Sequence, residues 1–354
     1  MKPKIQVLIP LMPRASEIVK YLERIDQTRV YSNFGPLNSD LIERLANYFG
    51  VDADCIATCA NATLALTGAI QTSEVSAASI WELPSWTFTA TAAAGIAAGV
   101  NLHFSDVDSD GRIIPSSNCE ALIDVLPFGD AISLNRLPKE CKLVLVDAAA
   151  SFDALRKIEL PRDREVGLVL SLHATKLLGA GEGGIFISNN PNWVQEFKAW
   201  TNFGISNISE RVSEFPGTNA KLSEYGAAVA LSSLDCWEQS RLRYLELHEK
   251  AKSITENRSL SLIGGMKNGF VTPYWNIQTG DSFRKDRIKH ALIADNIEFR
   301  DWWGSGLDLV PAYKSITSAE LKSTRLLSAT TLGLPFHAML ADEDFMRIES
   351  CLVD

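Results

Sequence analysis

At 354 residues the chain exceeds the length at which a single hydrophobic core usually stops growing, so two domains are expected. Hydrophobic residues make up 46% and charged residues 22%, which excludes a disordered or low-complexity chain. The formal net charge of −9, with Lys and Arg scattered, leaves no basic footprint for nucleic acid.

The chain begins MKPKIQVLIPLMPRAS, a basic start whose apolar stretch is too short and too broken by proline for a signal peptide. The longest run of small apolar residues, Phe88 to Val100, is too short to cross roughly 30 Å of hydrocarbon, so a soluble cytoplasmic protein is expected. From about residue 50 to 190, β-rich runs alternate with helical stretches. Cys55 to Thr58 leads into Ala62 to Ile70, and Ser79 to Leu83 into Thr87 to Ala98. Leu102 to Phe104, Leu122 to Pro127, Lys142 to Val146, Gly167 to Leu172 and Gly184 to Ser188 follow. Such alternation predicts a largely parallel sheet flanked by helices, with the chemistry in the turns after the strands.

From Lys221 to about Ile254, Leu222, Tyr225, Val229, Leu231, Leu234 and Trp237 recur near helical spacing and predict one long interdomain helix. A run from Gly264 to Ile277, a helix near Lys285 to Asp295 and further short runs to Asp354 predict a smaller α+β domain. The expected division is a large domain over 1–220, then the interdomain helix and small domain over 221–354. Cys55, Cys59, Cys119, Cys141, Cys236 and Cys351 show neither a CxxC nor a zinc-ligand spacing, and read as free thiols with no metal site.

The most informative segment runs from Ser171 to Gly184, SLHATKLLGAGEGG. An apolar strand ends at a hydroxyl and an imidazole, Lys176 follows, and glycines permit a tight turn and close backbone approach to a ligand. Apolar flanks desolvate the lysine and favour its neutral, nucleophilic form, as Schiff-base chemistry requires. Asp147 ends the strongly β run from Lys142 to Val146 beside Ala148, Ala149 and Ala150. It suits either a partner for a protonated ring nitrogen or an N-cap for a following helix. At Asn61-Ala62-Thr63-Leu64 a β run passes into a helix, whose free N–H groups at Ala62 to Leu64 and Thr63 hydroxyl make a phosphate seat. Trp86 and Phe88 either cover a planar cofactor or pack in the core.

Taken together, these segments resemble the DegT/DnrJ/StrS family of fold-type I sugar aminotransferases, from about Asn33 to the end of the chain. The markers stand in the family's order: Asn33-Phe34-Gly35-Pro36 with Glu43, Asn61-Ala62-Thr63, Thr87-Phe88 with Ala90-Thr91, and Asp106-Val107-Asp108. Pro127-Phe128-Gly129, Asp147-Ala148-Ala149, Ser171 to Gly184 and Asn202-Phe203-Gly204 continue the series. Asn219-Ala220-Lys221 with Ala227-Ala228, and Leu334-Pro335-Phe336-His337, complete it.

The resemblance implies an α/β fold with a mostly parallel seven-stranded sheet flanked by helices and a smaller C-terminal α+β domain. It implies pyridoxal 5′-phosphate (PLP), with Lys176 as Schiff-base lysine and proton shuttle and Asp147 as partner of the ring nitrogen. Ala62, Thr63, Leu64 (by backbone) and Ser171 would hold the phosphate, and Phe88 would stack on the ring. Asn219 would reach the phosphate of a neighbouring subunit, so a homodimer is implied. The implied activity passes an amino group from an amino acid, glutamate by resemblance, through pyridoxamine phosphate to a keto-sugar on a nucleoside diphosphate. Amino-sugar biosynthesis, as for lipopolysaccharide O-antigen, is the corresponding role.

Three positions depart from the family pattern. Ala150 stands where Gln or His usually lies near the cofactor's phenolic oxygen, Ala62 replaces a glycine, and Lys221 replaces an arginine, keeping the charge but losing the fork geometry. A 3-dehydratase of the family carries His at the lysine position, which Lys176 opposes. A cysteine desulfurase has a shorter Ser-x-His-Lys element, whereas two residues separate His173 from Lys176. A regulatory protein that kept the fold without activity is the alternative of another class; retained Lys176, Asp147, Thr63 and Ser171 oppose it and Ala150 favours it. Arg300, Trp302 and Trp303 read either as a contact for an anionic nucleotide or as a domain-packing cluster, the packing role being the expected one.

Overall fold

The computed structural model describes residues 2–76, 78–207 and 209–353. Its strands are β1 (Ile56–Cys59), β2 (Ile80–Pro84), β3 (Asn101–Ser105), β4 (Ala121–Val125), β5 (Leu143–Asp147), β6 (Glu165–Ser171), β7 (Gly184–Ser188), β8 (Ser261–Leu262), β9 (Trp275–Gln278), β10 (Thr317–Ser318) and β11 (Thr331–Leu334). The main sheet runs β1-β7-β6-β5-β4-β2-β3-β10, and β11-β9-β8 form a second, antiparallel sheet. Strands β2 to β6 pair in parallel, while β7 is antiparallel to both β6 and β1. The expected seven strands are therefore joined by an eighth, two-residue strand from the C-terminal part, lying parallel to β3.

Alternating side chains on β5 explain why its sequence is an unbroken apolar run. Val144 and Val146 enter one core cluster, and Leu143 and Leu145 enter another on the opposite face. The first is covered by α2 (Pro36–Phe49), α6 (Glu224–Asp235) and α7 (Trp237–Asn257); the second by α3 (Ala62–Gln71), α4 (Thr89–Ala98) and α5 (Pro191–Trp200). Outside this alternation lie α1 (Ala15–Thr28), packed near α6, and α8 (Ser282–Ala294), α9 (Lys322–Thr330) and α10 (Asp342–Cys351), which accompany the small sheet.

The single helix expected over 221–254 is two helices that meet at Cys236, and the first begins at Glu224 because Ser223 caps it, accepting from the Gly226 N–H at 3.0 Å. No Gly or Pro marks the break, so apolar spacing runs through it. Tertiary contacts on either side set it. Asp235 accepts from Tyr21 Oη and Arg44 Nη1, both at 2.8 Å, while Trp237 is buried and donates to Tyr48 Oη at 3.2 Å. All six cysteines are free, four of them buried. No helix among the described residues is long and apolar enough to cross a membrane.

Glu224 ties α6 to the start of α2. Its buried carboxylate accepts from the Leu37 and Asn38 N–H groups at 2.8 and 2.9 Å, satisfying donors that the helix itself leaves open. Glu224→Ala is expected to lower the unfolding free energy by about 2–4 kcal/mol, since both buried donors lose a charged acceptor. Urea denaturation measures this, and a change below about 0.5 kcal/mol would show that the carboxylate contributes no more than a surface residue does.

Candidate active site

A cavity of about 910 Å³ opens where β4, β5 and β6 end, bordered by Val125, Asp147 and Ser171. This is the edge at which open α/β sheets bind ligands. Asn61, Ala62, Thr63, Leu64, Phe88, Ala150, His173 and Lys176 border the same space, as do Tyr274, Asn276, Arg300, Trp302 and Trp303 from the C-terminal part. All the sequence-predicted site residues but Asn219 thus meet at one cavity.

Lys176 lies in the turn between β6 and β7. The turn is shaped by backbone bonds from the Lys176 N–H to His173 O at 2.8 Å and from the Ala174 N–H to Gly181 O at 2.9 Å. Gly181 has a φ of 84°, a left-handed conformation that a side chain would strain. The amine is half-buried and donates to Tyr274 Oη at 2.8 Å, so a specific hydrogen bond holds it instead of the apolar enclosure expected from its flanks. His173 Nδ1 lies 2.9 Å from Thr175 Oγ1 and its Nε2 is 3.7 Å from Glu182 Oε1.

Asp147 is 7% exposed at the end of β5. Burial pushes its carboxyl above the usual carboxylate range; a Thr91 Oγ1 donor at 2.7 Å, the Ala149 N–H at 3.2 Å and the Lys176 charge oppose that rise. Thr91 in turn lies 3.1 Å from Thr87 Oγ1. The segment after Asp147 is turn, not helix, so the N-cap role does not apply. What remains is a buried carboxylate facing a cavity, a group that favours a cationic or N–H-bearing occupant.

The start of α3 supplies the opposite polarity. Asn61 Oδ1 caps the helix by accepting from the Leu64 N–H at 2.8 Å. That is a correction to the expected seat, because the Leu64 donor is already engaged. The Ala62 and Thr63 N–H groups, among those a helix leaves without internal partners, meet no such acceptor among the described residues. Gly184 is required beside them, since a Cβ there would stand 2.7 Å from the Asn61 carbonyl and 2.9 Å from the Ala62 nitrogen. Opposite Gly184, across the β6–β7 pair, is Ser171, whose Oγ accepts the His173 N–H at 3.2 Å and keeps its own hydrogen to donate.

The aromatic residues separate. Phe88, just ahead of α4, is 58% exposed on the cavity. Trp86 is fully buried and donates to Trp302 O at 3.1 Å. Trp303 stacks on Phe128 with ring centres 4.6 Å apart and also borders the cavity, so Trp302 and Trp303 are a packing cluster and a cavity wall at once. Asn219 does not border the cavity of its own chain; it is exposed and bridges to Asn202. Lys221, whose pKa is lowered by burial, donates to Asn202 Oδ1 at 2.8 Å. Thr91, Tyr274 and Asn276 carry site contacts that the sequence motifs did not single out for a role.

The family model of the DegT/DnrJ/EryC1/StrS aminotransferases matches residues 14–353. A dTDP-4-amino-4,6-dideoxy-D-glucose transaminase of Shigella dysenteriae is 28% identical over 99% of this chain and 99% of its own. Among solved structures, DesI in the presence of its TDP-sugar product has a TM-score of 0.86 at 24% identity, covering 99% of this chain and 93% of DesI. PseC of Helicobacter pylori, an aminotransferase in pseudoaminic acid biosynthesis, has a TM-score of 0.83 at 19% identity, covering 99% and 98%. These two share the fold. The chain belongs to the DegT/DnrJ/EryC1/StrS aminotransferase family, enzymes that transfer amino groups with PLP as cofactor.

Proposed function

We propose that the chain moves the amino group of an amino acid, glutamate by resemblance, to a keto-sugar carried on a nucleoside diphosphate. One observation carries the reading: Lys176 Nζ and the buried Asp147 carboxylate border the same cavity. The Shigella relative, named for a dTDP-linked amino sugar, supports the acceptor class. Action in the cytoplasm accords with the absence, among the described residues, of a helix able to span a membrane.

The residues fit PLP by their chemistry. Asp147 offers a buried carboxylate for the ring nitrogen, Ala62 and Thr63 N–H with the Thr63 and Ser171 hydroxyls offer donors for the phosphate, and exposed Phe88 offers a face for the ring. Bound PLP supplies an electron sink for negative charge at the amino donor's α-carbon. Lys176 would hold the cofactor through Nζ and, once released, take the proton from that α-carbon and return it on the reverse transfer. Tyr274 Oη positions Nζ for both tasks. Asp147, oriented by Thr91 and the Ala149 N–H, would hold the proton on the ring nitrogen. A homodimer completes the reading, with Asn219 of each subunit reaching the phosphate seat of the other. Its exposure outside its own cavity, beside exposed Phe203, supports this.

With PLP bound, a visible absorption band that shifts on adding glutamate is expected, and an unmoved band would point to the regulatory protein instead. Lys176→Ala should abolish transfer while PLP still binds through its phosphate, and sustained transamination by that variant would remove Lys176 from its role. Tyr274→Phe should lower kcat by roughly tenfold or more with a smaller change in KM, and shift the pH dependence of the band. Equal kcat and an unmoved band titration would show that the phenol does not position the amine.

Because Asp147 has a raised folded-state pKa, the cofactor-free folded protein holds this proton more tightly than the unfolded chain does. The stability linked to that group is full below the unfolded value and is lost as pH rises through the folded one. Asp147→Asn should therefore raise the thermal midpoint of the cofactor-free protein at pH 7 while weakening transfer. A lowered midpoint across that pH range contradicts the assignment of an uncompensated buried charge.

A further inference from the structure

We infer that Arg300 and Asn276 form the anchor for a carboxylate of the amino donor, a subsite that rests on the transaminase reading and deepens it. Three backbones lie in one row of the small sheet. Arg300 and Gly333 exchange N–H···O bonds of 2.9 and 2.8 Å, and Gly333 stands opposite Asn276 in the β11–β9 register. Residues opposite one another across antiparallel strands share a face. Arg300 and Asn276 therefore flank a glycine on the face that borders the cavity.

Each end of the row carries an unused donor. Asn276 is 1% exposed, and its Oδ1 accepts from Trp302 Nε1 at 2.8 Å. An indole nitrogen only donates, so this bond fixes the amide orientation and turns Nδ2 away from Trp302. Nδ2 is buried with no hydrogen-bond partner among the described residues. A buried amide left unpaired costs about 1–3 kcal/mol, which an acceptor arriving from the cavity recovers. Arg300 borders the cavity with its guanidinium in no hydrogen bond or ion pair among the described residues. Two carboxylates lie near: Asp301 is held by Lys285 and Lys289, both at 2.8 Å, and Glu298, which feels the Arg300 charge, is held by Lys4 at 2.6 Å and the Val7 N–H at 3.0 Å, so neither pairs with the guanidinium. Gly333 keeps the row open, because a Cβ there would lie 2.3 Å from Trp302 Nε1 and 3.0 Å from Asn276 Oδ1.

One guanidinium fork plus one amide N–H suits a single carboxylate. Position selects the donor over the acceptor. Tyr274, which holds Lys176 Nζ, directly precedes β9 and borders the same cavity as Asn276, two residues further on, about 7 Å away in extended chain. In an amino acid the carboxylate is one carbon from the reacting amine, whereas in a nucleotide-linked sugar the ring stands between the reacting carbonyl and the diphosphate. The amide therefore lies within reach of the former.

Calorimetric titration of glutarate, an unreactive dicarboxylate, into the PLP-loaded enzyme tests the subsite without turnover. The wild type should bind, Arg300→Gln should weaken binding roughly tenfold or more at unchanged thermal midpoint, and Asn276→Ala, which also frees the Trp302 N–H and so lowers the midpoint, should weaken it as much at a temperature where the variant is fully folded. The KM for glutamate should rise in step while that for the nucleotide-sugar stays within about twofold. No glutarate binding by the wild type, equal binding by both variants, or a loss that falls on a nucleoside diphosphate instead overturns the assignment. Failure of the transaminase reading shows separately, as a wild-type absorption band that glutamate does not move.

Discussion

Across β1, β7 and β6, Cys59, Gly184 and Ser171 stand opposite one another, and the rest of the proposed cofactor seat depends on that register. It sets Asn61 and the start of α3 on one side of Gly184 and the Ser171 hydroxyl on the other. The two hydrophobic cores enforce it. Ile185 and Ile187 enter the cluster beneath α2, α6 and α7, and Phe186 enters the one beneath α3, α4 and α5. A slip of one residue would send all three side chains to the wrong face. A slip that set Ile185 in the place of Gly184 would also bring a side chain to where only glycine clears the Asn61 carbonyl. Core packing and ligand seat are thus held by the same alternation.

The small sheet repeats the device with opposite chemistry in view. Its row of Arg300, Gly333 and Asn276 also has a glycine at its centre and polar groups at both ends. In the main sheet, the glycine lets backbone donors of α3 stand close to the cavity. In the small sheet, it makes room for the Trp302 indole that orients Asn276. Between the two lies Asp147, whose burial is costly without a partner carrying positive charge. The cavity thus has a negative wall at β5 and donors on either side, the polarity expected for a planar cation that bears a phosphate and meets a carboxylate.

Much of the main sheet was legible because its strands are buried on both faces and read as apolar runs between turn residues. Gly184 to Ser188 matches its strand end for end, and Ala62 to Ile70 misses its helix by one residue. Lys176, Asp147, Thr63, Ser171 and Phe88 were legible as strand-end and helix-start residues, which is a local property. What escaped local reading was set by distant contacts. The break at Cys236 depends on Asp235 reaching α1 and α2. The occupied Leu64 donor depends on an Asn61 rotamer that the letters do not specify. Tyr274 and Asn276 sit in a run read only as part of a small domain, and Trp275 between them is buried and donates to Thr255, so alternation turns the other two together to the cavity.

The Lys176–Tyr274 bond spans 98 residues of sequence and joins the turn after β6 to the small sheet. Around it, Trp86 donates to Trp302 O, and Thr272 Oγ1 donates to Phe128 O at 2.8 Å. These bonds are among those that fix the small sheet to the large domain at the cavity. Because Tyr274, Asn276 and Arg300 ride on that sheet, a shift in its position moves the amine's partner and the carboxylate anchor together. This gives physical content to the substitution at Ala150. A long polar residue there would contact the cofactor from the main sheet alone. With a methyl group in its place, the polar contacts nearest Lys176 come from across the cavity, and the site is complete only when the small sheet is docked.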